Sequence, residues 1–550
     1  MIPGLLFFPP VRPSALPPVR RYYPAVAFWH PITHIDDDAL RRGLRAFQGD
    51  GICSQIRDSL LSGPLLVGYA LLLGASNAGV GLLSALAPAT QILQLPAVAL
   101  IERWRMRKAI CWWAACFARV AWLGVLALPW VVPAGARTPA LFGLLLLASA
   151  LGTVSAAAWT PWIRDFLPEE VRTRAFARRM AIATAIGAGL SLLAGLAVEE
   201  LGVQLDSALG GYVVVLGAGA AAALLGLVFL GRIPEPVMPP AGHRPWADIM
   251  RAPLRHRKFR ALVAFLGTWT FAIHLSTPFF TVYLLRRFGL PMAVVIALAV
   301  LSQVTAALVL RAWGNLADRF STLTVLRVSC AGFLLSVACW PMVGLLRAPW
   351  LVLAGLALIH ILAGLTTAGV NLGSGTVVME LAPRGAAAGY LATNALIVGA
   401  ASALAPVIAG LSADWLETQR LSVTVAWTST LDAGTGLALR PLDLHGLDFL
   451  FVATVVVGLY AIHRILAVTE RAMAGRRVVL AALLEQMREQ MPQPLRAITT
   501  VPSVRDLAYF PFSVLGRMLP ERRRAAAAHG LGYRRRARDR REGPPSSGSE

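Results

Sequence analysis

Twelve apolar stretches, each about twenty residues long, follow one another between residues 60 and 467 and leave the chain few architectures. A run of that length crosses the roughly 30 Å hydrocarbon core as one helix. The runs are continuous, with none of the period-two alternation of barrel strands, so every backbone N–H and C=O is satisfied inside its own helix. The stretches cover approximately 60–79, 81–101, 109–131, 140–162, 180–200, 211–231, 260–284, 291–312, 323–345, 350–379, 386–411 and 448–467. Six precede a Pro-rich, basic linker and six follow it.

Composition agrees. The chain is 57% hydrophobic and 15% charged with mean hydropathy +0.63, whereas a soluble chain carries about a quarter charged residues. The division expected is a partly disordered N-terminal tail at 1–58, a six-helix bundle at 59–232, a linker at 233–259, a second bundle at 260–468, and an amphipathic, basic, disordered tail at 469–550. Prolines 9, 10, 13, 17 and 18 break the one apolar patch near the start. No signal peptide is visible there.

Arginine and lysine collect on alternate loops. Loop 102–108 has four, loop 163–179 has five and the segment Arg232–Arg260 has seven, while loop 200–210 has none. Basic loops stay on the cytoplasmic side, so both termini are expected there, in the inner (plasma) membrane. The net charge of +22 then reflects topology and tail, and nucleic acid is not an expected partner. The five cysteines form no Cys-x-x-Cys pair, so no metal site is expected. No phosphate-binding glycine loop or catalytic constellation is present. Neither an enzyme nor a cofactor is expected, and the chain is expected to be a monomer.

Two landmarks recur in order. Glu102-Arg103-Trp104-Arg105-Met106-Arg107-Lys108 closes one apolar run, and Gly314-Asn315-Leu316-Ala317-Asp318-Arg319-Phe320 closes another about half the apolar body later. Asp165-Phe166-Leu167-Pro168 follows the first, and Glu380-Leu381-Ala382-Pro383 follows the second at nearly the same interval. The chain reads as two similar halves, a design common among transporters. Val98-x-x-x-Glu102-Arg103-x-Arg105-x-Arg107-Lys108 resembles the loop signature Gly-x-x-x-Asp-Arg-x-Gly-x-(Arg/Lys)-(Arg/Lys) of the major facilitator superfamily. Both glycines are replaced, by Val98 and Arg105. The second copy keeps Gly314, Asp318 and Arg319 but lacks the basic pair. Trp159-Thr160-Pro161-Trp162-Ile163-Arg164-Asp165 looks like a bacterial branch of that family without an assigned substrate.

The resemblance implies an all-α membrane protein of twelve helices in two pseudo-symmetric bundles, working by alternating access. It also implies that these loops are gates. Glu102 would face the start of the eleventh span near Gly385–Gly389, and Asp318 the start of the fifth near Arg179. Arg103 and Arg164 would neutralise the acids. Acids suit helix N-termini because the N–H groups there are unpaired and the dipole is positive. The plainer alternative is that these charges only fix topology.

Arg119 is the one charge placed mid-span, in the third helix, and such residues are paired or functional. Counting from the turn at Arg105 places Gln91 and Gln94 at its depth as hydrogen-bond partners. The family places solute between the first, fourth, seventh and tenth spans. Among the polar and aromatic residues there, Tyr69, Trp159, Trp269, His274, Thr367 and Asn371 are the candidates. Such a set suits a small, weakly charged organic solute. No carboxylate is placed at mid-membrane, and His274 and His360 are the candidate proton relays. The basic tail, Arg522–Arg524 and Arg534–Arg541, suits anionic lipid headgroups. The reading from another class is a transporter-like receptor or scaffold that moves nothing.

Overall fold

A computed structural model describes residues 29, 31–32, 35–238, 253–346, 348–382, 387–428, 436–465 and 482–483. It is a bundle of long helices with one β-hairpin. The first half contains α1 (Asp37–Leu61), α2 (Gly63–Leu72), α3 (Asn77–Thr90), α4 (Gln94–Trp104), α5 (Arg107–Val131), α6 (Ala134–Phe166), α7 (Glu169–Gln204) and α8 (Ala208–Gly231). The second contains α9 (Arg257–Ser276), α10 (Phe279–Arg286), α11 (Met292–Phe320), α12 (Thr322–Val343), α13 (Pro349–Leu381), α14 (Ala387–Leu416) and α15 (Asp448–Ile465). Among the described residues, eleven helical stretches are long and apolar enough to cross a membrane. Their outward faces carry large apolar side chains such as Trp130, Val203 and Leu308, as hydrocarbon surroundings require.

The two halves match helix by helix. The starts of α3 and α11 (Asn77 and Met292), of α5 and α12 (Arg107 and Thr322), and of α6 and α13 (Ala134 and Pro349) keep one constant offset. The ends of α6 and α13, Phe166 and Leu381, keep it too. Even the defects repeat. The first span breaks at Ser62 before Gly63-Pro64, and the seventh breaks at Thr277-Pro278. Proline lacks the N–H and crowds the preceding turn, so it interrupts a helix at both places.

One expected boundary is corrected. Residues 37–58 are not tail: they form α1, and with the short α2 they make the first span. The buried positions Gly43, Ala46, Phe47, Asp50, Gly51 and Cys53 recur at helical spacing, and α1 packs against α7 and α8. The first helical element therefore runs from 37 to 72 instead of 60 to 79, and the packed helical body begins at 37. Hydropathy misplaced it because Arg45, Asp50, Arg57 and Asp58 lower the window over α1. The apolar run also carries straight across the tight turn at Gly74, where φ is +93°.

The start of the expected linker is also part of the packed body. Ile32 and Pro236 form a β-bridge, with Ile32 N–H donating to Glu235 O at 2.8 Å. Trp29 packs against Trp112 and Trp113 of α5. Between α14 and α15 the long polar loop is a hairpin, β1 (Arg420–Thr428) antiparallel to β2 (Gly436–His445). Its base is closed by a two-pronged Arg420–Asp443 pair at 2.9 and 2.8 Å. Apart from Ala482 and Leu483, the expected C-terminal amphipathic and basic segments lie outside the described residues.

Candidate functional site

At the end of the bundle that carries the basic loops, α4 stops at Arg105, which adopts φ +53°, ψ +28°. A left-handed residue ends a helix well, but a Cβ there costs about 1–2 kcal/mol, which is why glycine is usual. This is the position where the family signature has glycine. Arg105→Gly is expected to raise the melting temperature, with a gain of about 1 kcal/mol; an unchanged or lower value would show that the Arg105 side chain makes a compensating contact.

Arg107 opens α5 and is 1% exposed. Its guanidinium meets Asp165 at the end of α6 at 2.5 Å and donates to the carbonyls of Pro161 and Pro236. Glu235, also buried, accepts the backbone N–H groups of Arg107 at 2.7 Å and Lys108 at 3.1 Å. Burial pushes its carboxyl pKa up, opposed by those two N–H groups and the Arg107 charge. Trp162 Nε1–H donates to Pro234 O. Arg107 and Asp165 thus tie α5, α6 and the linker together inside the first half. Sequence reasoning missed Glu235, because it falls in a stretch read as a connector.

The second half repeats the device with different chemistry. The offset that relates the two halves carries Arg107 to Thr322 and Asp165 to Glu380. Thr322 opens α12 and donates its hydroxyl to Glu380. The Asp165/Glu380 echo therefore joins helices within each half. Glu102 is half-buried, and Arg103, Arg164, Asp318 and Arg319 are exposed. Among the described residues no hydrogen bond or ion pair joins Glu102 or Asp318 to a helix of the other half. Arg319 lies over the neighbouring Phe320 ring, and nothing approaches the Cβ direction of Gly314. Arg179, the expected neighbour of Asp318, is engaged elsewhere.

It belongs to the cluster around Arg119. Arg119 sits at the midpoint of α5 and is 5% exposed. Its Nη1 donates to Ala223 O of α8 at 2.6 Å, and its Nη2 lies 4.0 Å from Asp50 of α1. Arg179 of α7 meets the other Asp50 oxygen at 2.9 Å, donates to Phe47 O, and stacks on Phe47 and Trp159. Two expectations are corrected here. Gln91 and Gln94 bond to each other on an exposed face and do not reach Arg119. A carboxylate does lie at mid-span depth, Asp50. The cue for it was in α1's helical spacing of buried residues, hidden by treating 1–58 as tail.

The solute candidates divide. Tyr69 is fully buried and donates to Val125 O at 2.9 Å, and Trp269 is 2% exposed against Phe333, so both belong to the helix core. Trp159 is half-buried beside Arg179. Thr367 and Asn371, one turn apart on α13, are half-buried and exposed. The Nδ1 atoms of His274 and His360 each lie 2.8 Å from the carbonyl one turn back, a local bond that fixes each ring on its own helix.

At the opposite end of the bundle the halves are clasped twice. Asp414, near the end of α14, accepts the N–H of Asn77 at 2.9 Å and of Ala78 at 3.0 Å, the first two residues of α3. Glu199, near the end of α7, accepts the N–H of Ala293 at 2.9 Å, the second residue of α11. The offset between the halves carries Glu199 to Asp414 and Ala78 to Ala293. Each acid comes one helical turn after a glycine at a helix crossing. Gly195 faces Ala293, and Gly410 faces Asn77 and Ala78. At Gly81, the next turn of α3, a Cβ would stand 2.1 Å from Pro406 O, so α3 and α14 touch backbone to backbone, as small residues permit in membranes. Arg286 of α10 adds a bond to Asn77 Oδ1 at 3.2 Å. Neither acid was singled out from sequence, since each reads as an ordinary polar helix end.

A family model described as Major Facilitator Superfamily matches residues 51–406. No curated protein matches by sequence. Solved structures with similar folds include the nucleoside transporter NupG, at 13% identity and TM-score 0.57 over 79% of this chain and 100% of that one. A bacterial homologue of the iron transporter ferroportin gives 13% identity and TM-score 0.58 over 79% and 99%. A D-xylose–proton symporter gives 12% and 0.53 over 77% and 96%. At these identities the likeness is one of fold.

Proposed function

The chain belongs to the Major Facilitator Superfamily and is a multi-pass membrane transporter, and from that premise we propose that it moves a small organic solute by alternating access. The basic end faces the cytoplasm with both termini, following the positive-inside rule. The far end is then the outer gate, and the conformation described is closed there.

The observation that carries this reading is the mirrored clasp. Asp414 and Glu199 join the two halves at one end through residues related by the internal repeat. The loop acids Glu102 and Asp318 stand disengaged from the other half, among the described residues, at the opposite end. A rocking pair of halves needs contacts that exist in one state and not the other. Glu102 and Asp318 are the acids that engage when the cytoplasmic end closes. Trp159, His274, Thr367 and Asn371 supply an aromatic face and neutral hydrogen-bonding groups, suiting an organic solute of little charge.

The test is trans-stimulation in proteoliposomes across a panel of small organic solutes. A carrier takes up labelled solute faster when the same solute is loaded inside, because the loaded carrier returns. Saturable uptake with that acceleration is expected. Correctly inserted protein that shows no uptake, and no change in cysteine accessibility at either end with any solute, would leave the receptor reading in its place.

A further inference from the structure

At the basic end of the first half lies a cavity of about 620 Å³ between the start of α1, the start of α5, the end of α8 and the linker. Arg42, Arg45, Arg232 and Lys108 line it, with Glu235 as the one acid among its described lining residues. Four cations therefore face one carboxylate. Both Glu235 oxygens are already bonded to the N–H groups opening α5, and its nearest guanidinium is that of Arg107. Among the described residues no carboxylate pairs with Arg42, Arg45 or Arg232, all three of which are exposed. Of the acids that open α1, Asp36 accepts the N–H of Ala39 and Asp38 pairs with Arg41, which lies outside the cavity.

The geometry follows from α1. Ala39, Arg42, Arg45 and Ala46 recur at three- and four-residue spacing and so share one helix face. Small alanines leave the space, and the arginines rim it. Across from them stand Phe229, at the end of α8, and Ile32. The cavity thus combines apolar lining with a surplus of cations, at the end of the bundle that carries the basic loops.

We propose that this cavity is a binding site for a phosphate group, held by Arg42, Arg45 and Arg232, with an apolar or glycerol-like remainder against Phe229 and Ile32. The guanidinium fork matches phosphate oxygens in pairs. An anionic phospholipid headgroup presents that chemistry at this depth, and so does a soluble organic phosphate from the cytoplasm. Its lining shares no residue with the solute candidates, so it stands or falls independently of the transport reading. It differs from the basic C-terminal tail, since its arginines belong to the helical body.

The experiment is native mass spectrometry of the full chain in detergent, titrated separately with phosphatidylglycerol, phosphatidylcholine, glycerol 3-phosphate and inorganic phosphate. Binding of phosphatidylglycerol well above phosphatidylcholine is expected. It should weaken by about a hundredfold in Arg42→Gln/Arg45→Gln/Arg232→Gln, if each cation contributes the roughly fivefold usual for one basic side chain near an anionic surface. Glycerol 3-phosphate binding with the same dependence, and no preference between the lipids, would assign the site to a soluble phosphate. Arg41→Gln is the control and should bind as the unmodified chain does. Arg232→Glu alone, which reverses a charge at a solvent-facing helix end, provides the second variant should the triple one be poorly folded. Equal binding of both lipids with no phosphate binding, or phosphatidylglycerol binding unaffected by the arginine variants, would overturn the proposal.

Discussion

Asp50→Ala is expected to be the most damaging single change among the residues described. The carboxylate is 3% exposed and is the shared counter-ion of Arg179 at 2.9 Å and Arg119 at 4.0 Å. Removing one partner of a buried ion pair costs about 3–5 kcal/mol, because the remaining charge is left desolvated. Here two guanidinium groups lose their common anion and keep the carbonyls of Phe47 and Ala223 and, for Arg179, the ring faces of Phe47 and Trp159. A steep fall in folded yield from detergent and in melting temperature should follow. Asp50→Leu combined with Arg119→Leu and Arg179→Leu should recover much of the loss, since replacing a buried ionic cluster by apolar side chains is often neutral, whereas a variant that keeps either arginine should not. Wild-type yield and melting temperature in Asp50→Ala would show that the cluster is hydrated and weakly coupled.

Glu199→Gln with Asp414→Asn is expected to open the end of the bundle where the halves are clasped. Each acid bonds the first turn of a helix in the other half, where its charge also meets the positive end of the helix dipole. An amide keeps the shape but loses the charge and, at Asp414, the ability to accept two N–H groups with two oxygens. Losing the charge–dipole term and downgrading charge-assisted bonds costs about 1–2 kcal/mol per clasp. For both clasps together, about 3 kcal/mol, the closed-to-open ratio should fall roughly a hundredfold. Pulsed-EPR distances between labels at Val203 and Leu345, one in each half at that end, should lengthen or split into two populations. A single short distance in the double variant, identical to that of the parent, would show that the glycine crossings alone hold the end shut.

The two effects differ in kind. Asp50 works inside one half and sets whether that half folds. Asp414 and Glu199 work between halves, where they join helices of one to the helix starts of the other. The same separation explains the repeated loop landmarks. Asp165 and Glu380 bind helix starts in their own half, so they preserve each bundle as a rigid body. Glu102 and Asp318 reach no described partner across the interface.

Much of this was legible in the amino-acid sequence. Apolar runs of membrane length, alternate basic loops and landmarks repeating at one interval determined a two-half helical membrane protein. Those signals are local or periodic, and hydrocarbon allows one backbone solution for such runs. What sequence did not decide was which polar groups meet. Arg119 needed a partner at its depth. Counting along a hairpin pointed to Gln91 and Gln94, whereas the partner is Asp50, far back along the chain on α1. That helix escaped notice because its charges look like tail by hydropathy, and of them only Asp50 is buried among its neighbours. The outer clasps join residues distant in the chain, Asn77 with Asp414 and Glu199 with Ala293. Their meeting depends on how two bundles pack, and a glutamate or aspartate near a helix end carries no local mark of the helix start it will cap. Tyr69 and Trp269 are buried among neighbouring helices, which their place in an apolar run does not by itself reveal.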